Sequence, residues 1–525
     1  MNSKPIVGID LGTTFSALAS LDESGKSTIV SFGQDRITPS CIVGPQNEPG
    51  TLYVGDVAKN MRSSEAEKGF VCQYFKRDMG TDTTYENKDG SVSLTPIGAS
   101  AMVLKKLVQE ASKTLGEIDE VVITVPASFS EKQRKATSEA GKQAGLIVKH
   151  IINEPTAAAL AFSTQQNIDG RILIYDLGGG TFDVTIADIN GQDIEILTSE
   201  GADDLGGVDF DRKLTAIVDK EHHSKYARSL KDALGISSDE DADKSESWME
   251  LLGDVEEAKK MLSKRPTTSI KYHESPDGPL ILDITRDQFE AEISSLIAQT
   301  EMLVEAALDN IDNTPSDIDL VLLVGGSSRV PAVRSSLASQ FGQDKISEAV
   351  NPDEAVAVGA AIYAGLKTNK SNLNVMQRDK MSKVSMTDVA SHYLGFVCID
   401  YDEDLEEESL KSTVITTKDT PLPCSNTERF FTRIEGQEWL RCRVTQSAAE
   451  ETDLEFVNIV YDKKLGPLPG GRPSGCPVDV TFSLNSNGLI ELSFLDVESG
   501  ISKEEPLELD VDLKDPIKVK AFSIE

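Results

Sequence analysis

Residues 172–186 read ILIYDLGGGTFDVTI. A β-branched run ends at Asp176, then Gly178, Gly179, Gly180 and Thr181 follow, and a second alternating run starts at Phe182. The pattern predicts a hairpin whose turn is a phosphate cradle. Three glycines remove every Cβ from the turn, so its backbone can take φ > 0 and bring N–H groups close to a polyphosphate. Asp176, at the mouth of the turn, can hold a hydrated divalent cation against the same phosphates, because Mg²⁺ keeps most of its waters and takes few carboxylates. Taken alone, the motif fits a glycine-rich hairpin that merely turns about as well.

A second stretch repeats the pattern. Residues 6–21, IVGIDLGTTFSALASL, carry an apolar run, Asp10, Gly12, the hydroxyl pair Thr13 and Thr14, and another alternating strand. Two copies of one unit imply a duplicated fold that grips a nucleotide from both sides, with Asp10 and Asp176 on opposite walls of one cleft.

The chain has 525 residues, more than one core normally serves, so two or three domains are expected. A formal net charge of −35 argues against nucleic acid or an anionic membrane as the main partner. The six cysteines form no C-x-x-C pair and no metal spacing, which predicts reduced, mostly buried thiols. Met1–Pro5 has no signal-peptide character, and no apolar run reaches the ~18 residues of a membrane span. A cytoplasmic monomer is expected.

Further along, Lys76 follows Phe75 and precedes the turn at Gly80; it could serve phosphate charge or a water, or be a surface lysine. Residues 96–115 have helical spacing, with Thr95 as N-cap and Pro96 at the first position. A buried strand over 120–126 precedes a helix opened by Ser130 and Gln133. In IINEPTAAALAF, Pro155 opens an alanine-rich helix and puts Glu154 at its N-terminus, facing the cation site or simply capping the helix. Gly206 and Gly207 open a helical region running to about Ser263, interrupted by an acidic loop over 237–246. Within it Glu256, Lys259, Lys260 and Ser263 share one helix face, which is commonly only a solvated face. A third strand-to-glycine turn reaches Gly325 and Gly326, and residues 351–366 form a small-residue helix that must pack tightly. Residues 368–383 lack an apolar period and read as a connector. From Tyr393 onward the signal is β, with strands over 393–401, 413–417, 429–434, 439–444, 454–461, 478–484 and 489–495. The Asn-Gly turn at 487–488 and an acidic loop, DEDLEEE at 402–408, fit an antiparallel sandwich.

These motifs resemble the seventy-kilodalton heat-shock chaperones of the DnaK type, within the actin-like ATPase superfamily. The resemblance covers residues 5 to about 500 and rests on GIDLGTTFSAL, VVITVPASF, IINEPTAAALAF, YDLGGGTFDV, LGGVDFD, VGGSSRVP and NPDEAVAVGAA. FKRDMGTD, the TDV-ending linker and the short length look most like the HscC branch. The resemblance implies a two-lobed α/β actin-like ATPase domain over 1–367, duplicated and with mixed sheets covered by helices. A linker over 368–388, an all-β antiparallel substrate-binding sandwich over 389–510 and a tail over 511–525 would follow.

It also implies ATP and Mg²⁺ as cofactors, with Asp10, Asp176 and Glu154 holding the hydrated ion. Lys76 would orient the attacking water, and Thr181 and Asp183 would sit beside the γ-phosphate. Adenosine would lie between Glu256, Lys259, Lys260 and Ser263 on one side and Gly325, Gly326, Ser327, Arg329 and Asp353 on the other. Phe396, Ile399, Phe430 and Leu440 would line a groove for extended apolar polypeptide, although each is also a plain core candidate. Partners implied are unfolded polypeptides, a J-domain co-chaperone and a nucleotide exchange factor. The sequence departs from the family pattern at His150, where an arginine usually helps dock J-domains. Ser385 and Thr387 stand in a linker that is usually leucine-rich, which predicts reduced burial and weak coupling. No helical lid is read after the sandwich. A regulatory member with little turnover and a small-molecule kinase of the superfamily are the competing readings.

Overall fold

The computed structural model describes residues 4–506 and 523–524, apart from 33–34, 49, 66–68, 88–89, 167–168, 239–241, 243–244, 349–350, 403–406 and 487. Each glycine hairpin is the centre of its own sheet. In the first, Val7–Asp10 pairs antiparallel with Phe15–Leu21 and parallel with Glu120–Val125, and Ile147–Asn153 lies beyond. In the second, Asp169–Leu177 pairs antiparallel with Phe182–Asn190 and parallel with Leu320–Val324. The expected duplication is therefore a duplication of sheet order, with helices on the faces.

Two helices join the lobes. Glu154–Gln165 and Ala355–Lys367 are almost wholly buried and rich in alanine. They cross at contact distance: a Cβ on Gly359 would stand 1.7 Å from the Ala157 carbonyl oxygen. Small residues are needed there because backbone touches backbone. The expected local signals hold elsewhere. Thr95 Oγ1 accepts from the Gly98 amide at 3.1 Å, and Ser130 and Gln133 form a reciprocal capping box. Half of the acidic loop over 237–246 lies outside the described residues, and Ala242 is buried in the second lobe's core.

Residues 368–383 correct the connector reading. They contain a helix, Val375–Met381, capped by Asn374 and Gln377, and Leu373 and Met381 join the core between the two lobes. Gln377 Nε2 donates to the Asp22 carbonyl at 2.9 Å and Asn374 Nδ2 to that of Glu23 at 2.8 Å. The apolar period misled because Val375 and Met376 face solvent; the N-x-x-Q cap was the usable signal. The linker that remains is short and docked. Ser385–Thr387 pairs parallel with the edge strand Asp193–Ala202, in register Asp193↔Ser385 to Glu195↔Thr387. Ser385 and Thr387 give up little, because main-chain pairing holds the segment while Val384, Met386 and Val389 face the core between the lobes.

The β domain is a sandwich of two four-stranded sheets, ordered Glu407–Thr416, Tyr393–Asp402, Leu440–Ser447, Asn458–Leu465 and Cys424–Phe431, Pro477–Leu484, Ile490–Asp496, Ser502–Pro506. The second, third and fifth strands shift most, the third now starting at Cys424, and one strand is new. The second strand begins at Glu407 rather than 413, because the hairpin pairs Asp402 with Glu407. Of the acidic loop, 403–406 lie outside the described residues. The third strand ends at Phe431 and the fifth is shifted to 458–465, while Ser502–Pro506 is an added edge. Polar residues that pair through the backbone hid these ends from the alternation.

The sandwich rests on the two N-terminal lobes. Asp388 accepts from Asn153 Nδ2 and Thr156 Oγ1, both at 3.3 Å. Lys418 is ion-paired with Glu200, Asp419 accepts from Thr198 Oγ1 at 3.0 Å, and Tyr363 donates to the Ser486 carbonyl at 3.3 Å. The Glu131 amide donates to Gln446 Oε1 at 3.3 Å, and Glu131 Oε1 is buried without a partner. Burial, only partly offset by Lys135 and Arg134, pushes the Glu131 carboxyl up from 4.5 to about 7. Between those two values the folded form binds more protons than the unfolded form. Glu131 therefore costs stability above about pH 7, and the cost disappears as pH falls through that window. Denaturation of the wild type and Glu131→Gln between about pH 8 and about pH 5 checks this. The difference should move in favour of the wild type as pH falls, and a constant difference would refute it.

Candidate functional site

The two hairpins meet tip to tip. A Cβ on Gly179 would stand 2.3 Å from Thr14 Oγ1, and one on Gly180 2.5 Å from Thr13 Cγ2. None of Gly12, Gly178, Gly179 and Gly180 has φ > 0, so the sequence expectation is corrected. The glycines are required by close approach of the opposing turn, not by a left-handed backbone. The turn at Gly325 does need it, at φ +77, and a Cβ there would also meet the Leu177 carbonyl at 2.4 Å. A third loop is stitched to the cradle, the Gly207 amide donating to the Gly178 carbonyl at 3.0 Å and the Val208 amide to that of Gly179 at 2.8 Å.

Beneath the tips lies a cavity of about 650 Å³. Its lining includes Asp10, Gly12, Thr13, Thr14, Lys76, Glu154, Asp176, Gly178, Gly179, Thr181 and Gly207 at the base. Glu256, Lys259, Lys260 and Ser263 line one side and Gly325, Gly326, Ser327, Arg329 and Asp353 the other. The structure thus brings together nearly every residue singled out in the sequence. Gly180, Asp183 and Gly206 do not line the cavity; Asp183 is buried behind the turn, accepting from the Ser128 amide at 3.3 Å.

At the base, Lys76 is 3% exposed and ion-paired with Glu154, so it is no surface lysine. It sits in the 3₁₀ turn Phe75–Asp78. Burial alone would lower its pKa, but the charges of Glu154 and Asp10 outweigh it and raise it. The carboxylates outnumber this one ammonium. Burial and then the Glu154 charge push Asp10 up to about 7 and Asp176 well above the usual range; burial, Glu154 and Asp203 take Asp183 to about 8. Such an oxygen-rich, cation-poor floor suits a hard divalent ion. Among the described residues no group of three or more His, Cys, Asp or Glu side chains is placed to hold a metal ion together.

The side wall is a charged network. Glu256 meets Lys59 at 3.0 Å, Lys260 at 2.9 Å and Arg62 at 3.6 Å. Burial alone would raise its pKa, yet Lys59 and Lys260 hold it down at about 2. Lys259 Nζ donates to the Gly207 carbonyl and to Asp211, both at 2.8 Å, and Arg329 pairs with Asp353 at 2.7 Å. Sequence reasoning missed Lys59 and Arg62, on the helix Asp56–Glu65, and Arg77. Arg77 Nε donates to the Gly180 carbonyl at 3.0 Å, and its guanidinium is ion-paired with Asp209. Its only sequence signal was adjacency to Lys76.

In the β domain, Phe396 is buried with its ring 4.8 Å from that of Phe430, and Leu440 is half-buried against the same core. Ile399 is 47% exposed, and Leu410, Phe431, Ile434 and Trp439, which the sequence did not single out, are exposed as well. His150 is half-buried, edge-on to Tyr363. No described helix is long and apolar enough to cross a membrane.

The sequence model of the family described as Hsp70 protein matches residues 6–92 and 82–518. The chain belongs to the Hsp70 family. It is 34% identical over 522 residues to the chaperone protein DnaK of two strains of Halobacterium salinarum, covering 98% of this chain and 77% of each relative. Its fold is that of an Hsp70: a two-lobed actin-like ATPase followed by a β sandwich. As an Hsp70 it is an ATP-dependent chaperone with ATPase activity, and the regulatory and kinase readings are not favoured.

The glycine contacts can be checked one by one. Gly178→Ala meets nothing nearer than 3.6 Å and should melt like the wild type. Gly179→Ala and Gly180→Ala should each cost about 1–3 kcal/mol by overpacking. Equal melting temperatures for all three variants would mean the tips do not interlock.

Proposed function

We propose that this Hsp70 binds Mg²⁺-ATP in the cavity between its lobes and hydrolyses it slowly, and that nucleotide state governs how the β domain holds extended apolar polypeptide. The observation that carries this reading is the buried Lys76–Glu154 pair at the base of a cavity walled by both glycine hairpins. The amides of Gly12–Thr14 and Gly178–Thr181 would cradle the phosphates. Asp10 and Asp176 would hold a hydrated Mg²⁺, which neutralises phosphate charge when bound. Glu154 orients Lys76, whose raised pKa keeps its protons in place to align a water and to face developing charge. Thr181 lines the same floor, and Asp183 fixes the turn from behind. The adenosine would lie between the Glu256–Ser263 face and the Gly325–Arg329 turn with Asp353.

The nucleotide-binding part would run over 1–367, extended by the helix at 375–381. The linker would be its docked remainder to residue 388, and the substrate domain 389–510. In that domain Ile399, with Phe431, Ile434 and Trp439, would face the peptide, and Phe396, Phe430 and Leu440 would form the floor beneath them. Clients would be extended apolar segments, joined by main-chain hydrogen bonds. A J-domain protein and an exchange factor are the proposed partners, His150 narrowing the choice of the former, in the cytoplasm.

Two measurements test the reading. Lys76→Ala should bind ATP within a few-fold of the wild type by calorimetry yet lose about 10²-fold or more in single-turnover hydrolysis, since its contribution belongs to the transition state. A variant hydrolysing at the parent rate would remove Lys76 from the mechanism. Ile399→Asp should weaken binding of a fluorescent apolar peptide about tenfold or more by desolvating a charge at the contact. Unchanged affinity would move the groove elsewhere.

A further inference from the structure

The small sheet on the first lobe is ordered Ser523–Ile524, Thr51–Val54, Cys41–Gly44, Phe70–Gln73. Its edge strand is supplied by a segment more than 450 residues downstream, in parallel register Ser523↔Thr51 and Ile524↔Leu52. Without that segment, Thr51–Val54 would be an open edge with unpaired main-chain groups, which proteins usually cover. Ile524 is half-buried and packs on the first lobe's core, beside the fully buried Leu52. The sequence around it, IKVKAFSIE over 517–525, alternates apolar and polar residues on either side of the Ala521–Phe522 pair and is rich in strand formers.

The strand Thr51–Val54 leads directly into the cleft. After Gly55, at φ +85, the chain enters the helix Asp56–Glu65, whose Lys59 and Arg62 reach across to Glu256. The other face of the sheet, with Cys41 and Val43, packs on Ala58 of the same helix. Cys41 and Gln73 from this sheet also line the cavity. Whatever steadies the sheet therefore steadies the roof over the nucleotide.

We propose that Thr51–Val54 is a docking edge for an extended segment of this chain, seated at Ser523–Ile524, and that its occupancy slows nucleotide release. Recognition is by strand addition: main-chain pairing supplies the attachment, and one apolar side chain, Ile524, supplies the anchor. The slowing of release rests on the nucleotide reading above; the docking itself does not.

The test uses the full chain and Ile524→Asp, with Ile524→Val as the conservative control. Hydrogen exchange read by mass spectrometry should show the amides of Thr51–Val54 protected in the wild type and in Ile524→Val, and exchanging several-fold faster in Ile524→Asp. The peptide IKVKAFSIE added to Ile524→Asp should restore protection. Release of a fluorescent ADP analogue should be several-fold faster from Ile524→Asp and return to the parent rate with the peptide. Equal protection in all variants overturns the docking. Changed protection with an unchanged release rate overturns the coupling to the cleft. If no variant, the wild type included, binds the ADP analogue, the nucleotide reading fails while the exchange result still decides the docking.

Discussion

A single buried ammonium faces too many carboxylates. Lys76 lies beside Glu154, Asp10 and Asp176, with Asp183 behind, and the residues come from four separate segments of both lobes. Leaving such a floor uncompensated is expensive, since burial and mutual repulsion both disfavour the charged forms. The raised pKa values of the aspartates express that imbalance. A site of this kind is completed by added positive charge, and the cavity above it has room for a ligand that brings a cation with it. The floor thus suits a ligand by its charge as well as by its shape.

Bringing those segments together demands small residues. The hairpin tips interlock through Gly179 and Gly180 against Thr14 and Thr13, and the helices beneath cross at Gly359 and Ala157. Close-packed backbones leave no slack, so a shift at one tip is felt by the other. Arg77 extends the same logic outward, tying the Gly180 carbonyl to Asp209 at the start of the next helix. The Gly178–Gly180 turn, the 3₁₀ turn that carries Lys76 and Arg77, and the loop at Gly206–Asp209 are one mechanical unit.

The β domain is attached to this unit by polar contacts rather than a broad apolar face. Asp388, Lys418 and Glu131 each meet partners across the boundary, and the linker adds a strand to the second lobe's sheet. Charged contacts of this type are sensitive to register and to desolvation, so small movements in the lobes alter them strongly. The hydrophobic cores of the two parts separate between Val389 and Ala390, a single peptide bond apart. Such a junction suits a domain that is held in one state and let go in another.

By itself the sequence determined the duplication, the glycine turns, the capped helices at 96–115 and 131–143, and the β character after residue 393. These are legible because they depend on neighbours along the chain: alternation, helical spacing and cap chemistry are local. The placement of Asp10, Glu154 and Asp176 around one cavity was legible too, since each stands at a turn or helix start. Only the tertiary structure decided that Lys76 is buried, that Lys59 and Arg62 line the cleft while Arg77 braces the Gly180 carbonyl, and that 375–381 is a helix of the ATPase core. It also replaced left-handed backbone by close approach as the reason for Gly179 and Gly180. Burial and pairing across hundreds of residues leave no periodic trace in the sequence, because a lysine in water and a lysine among carboxylates are spelled the same way.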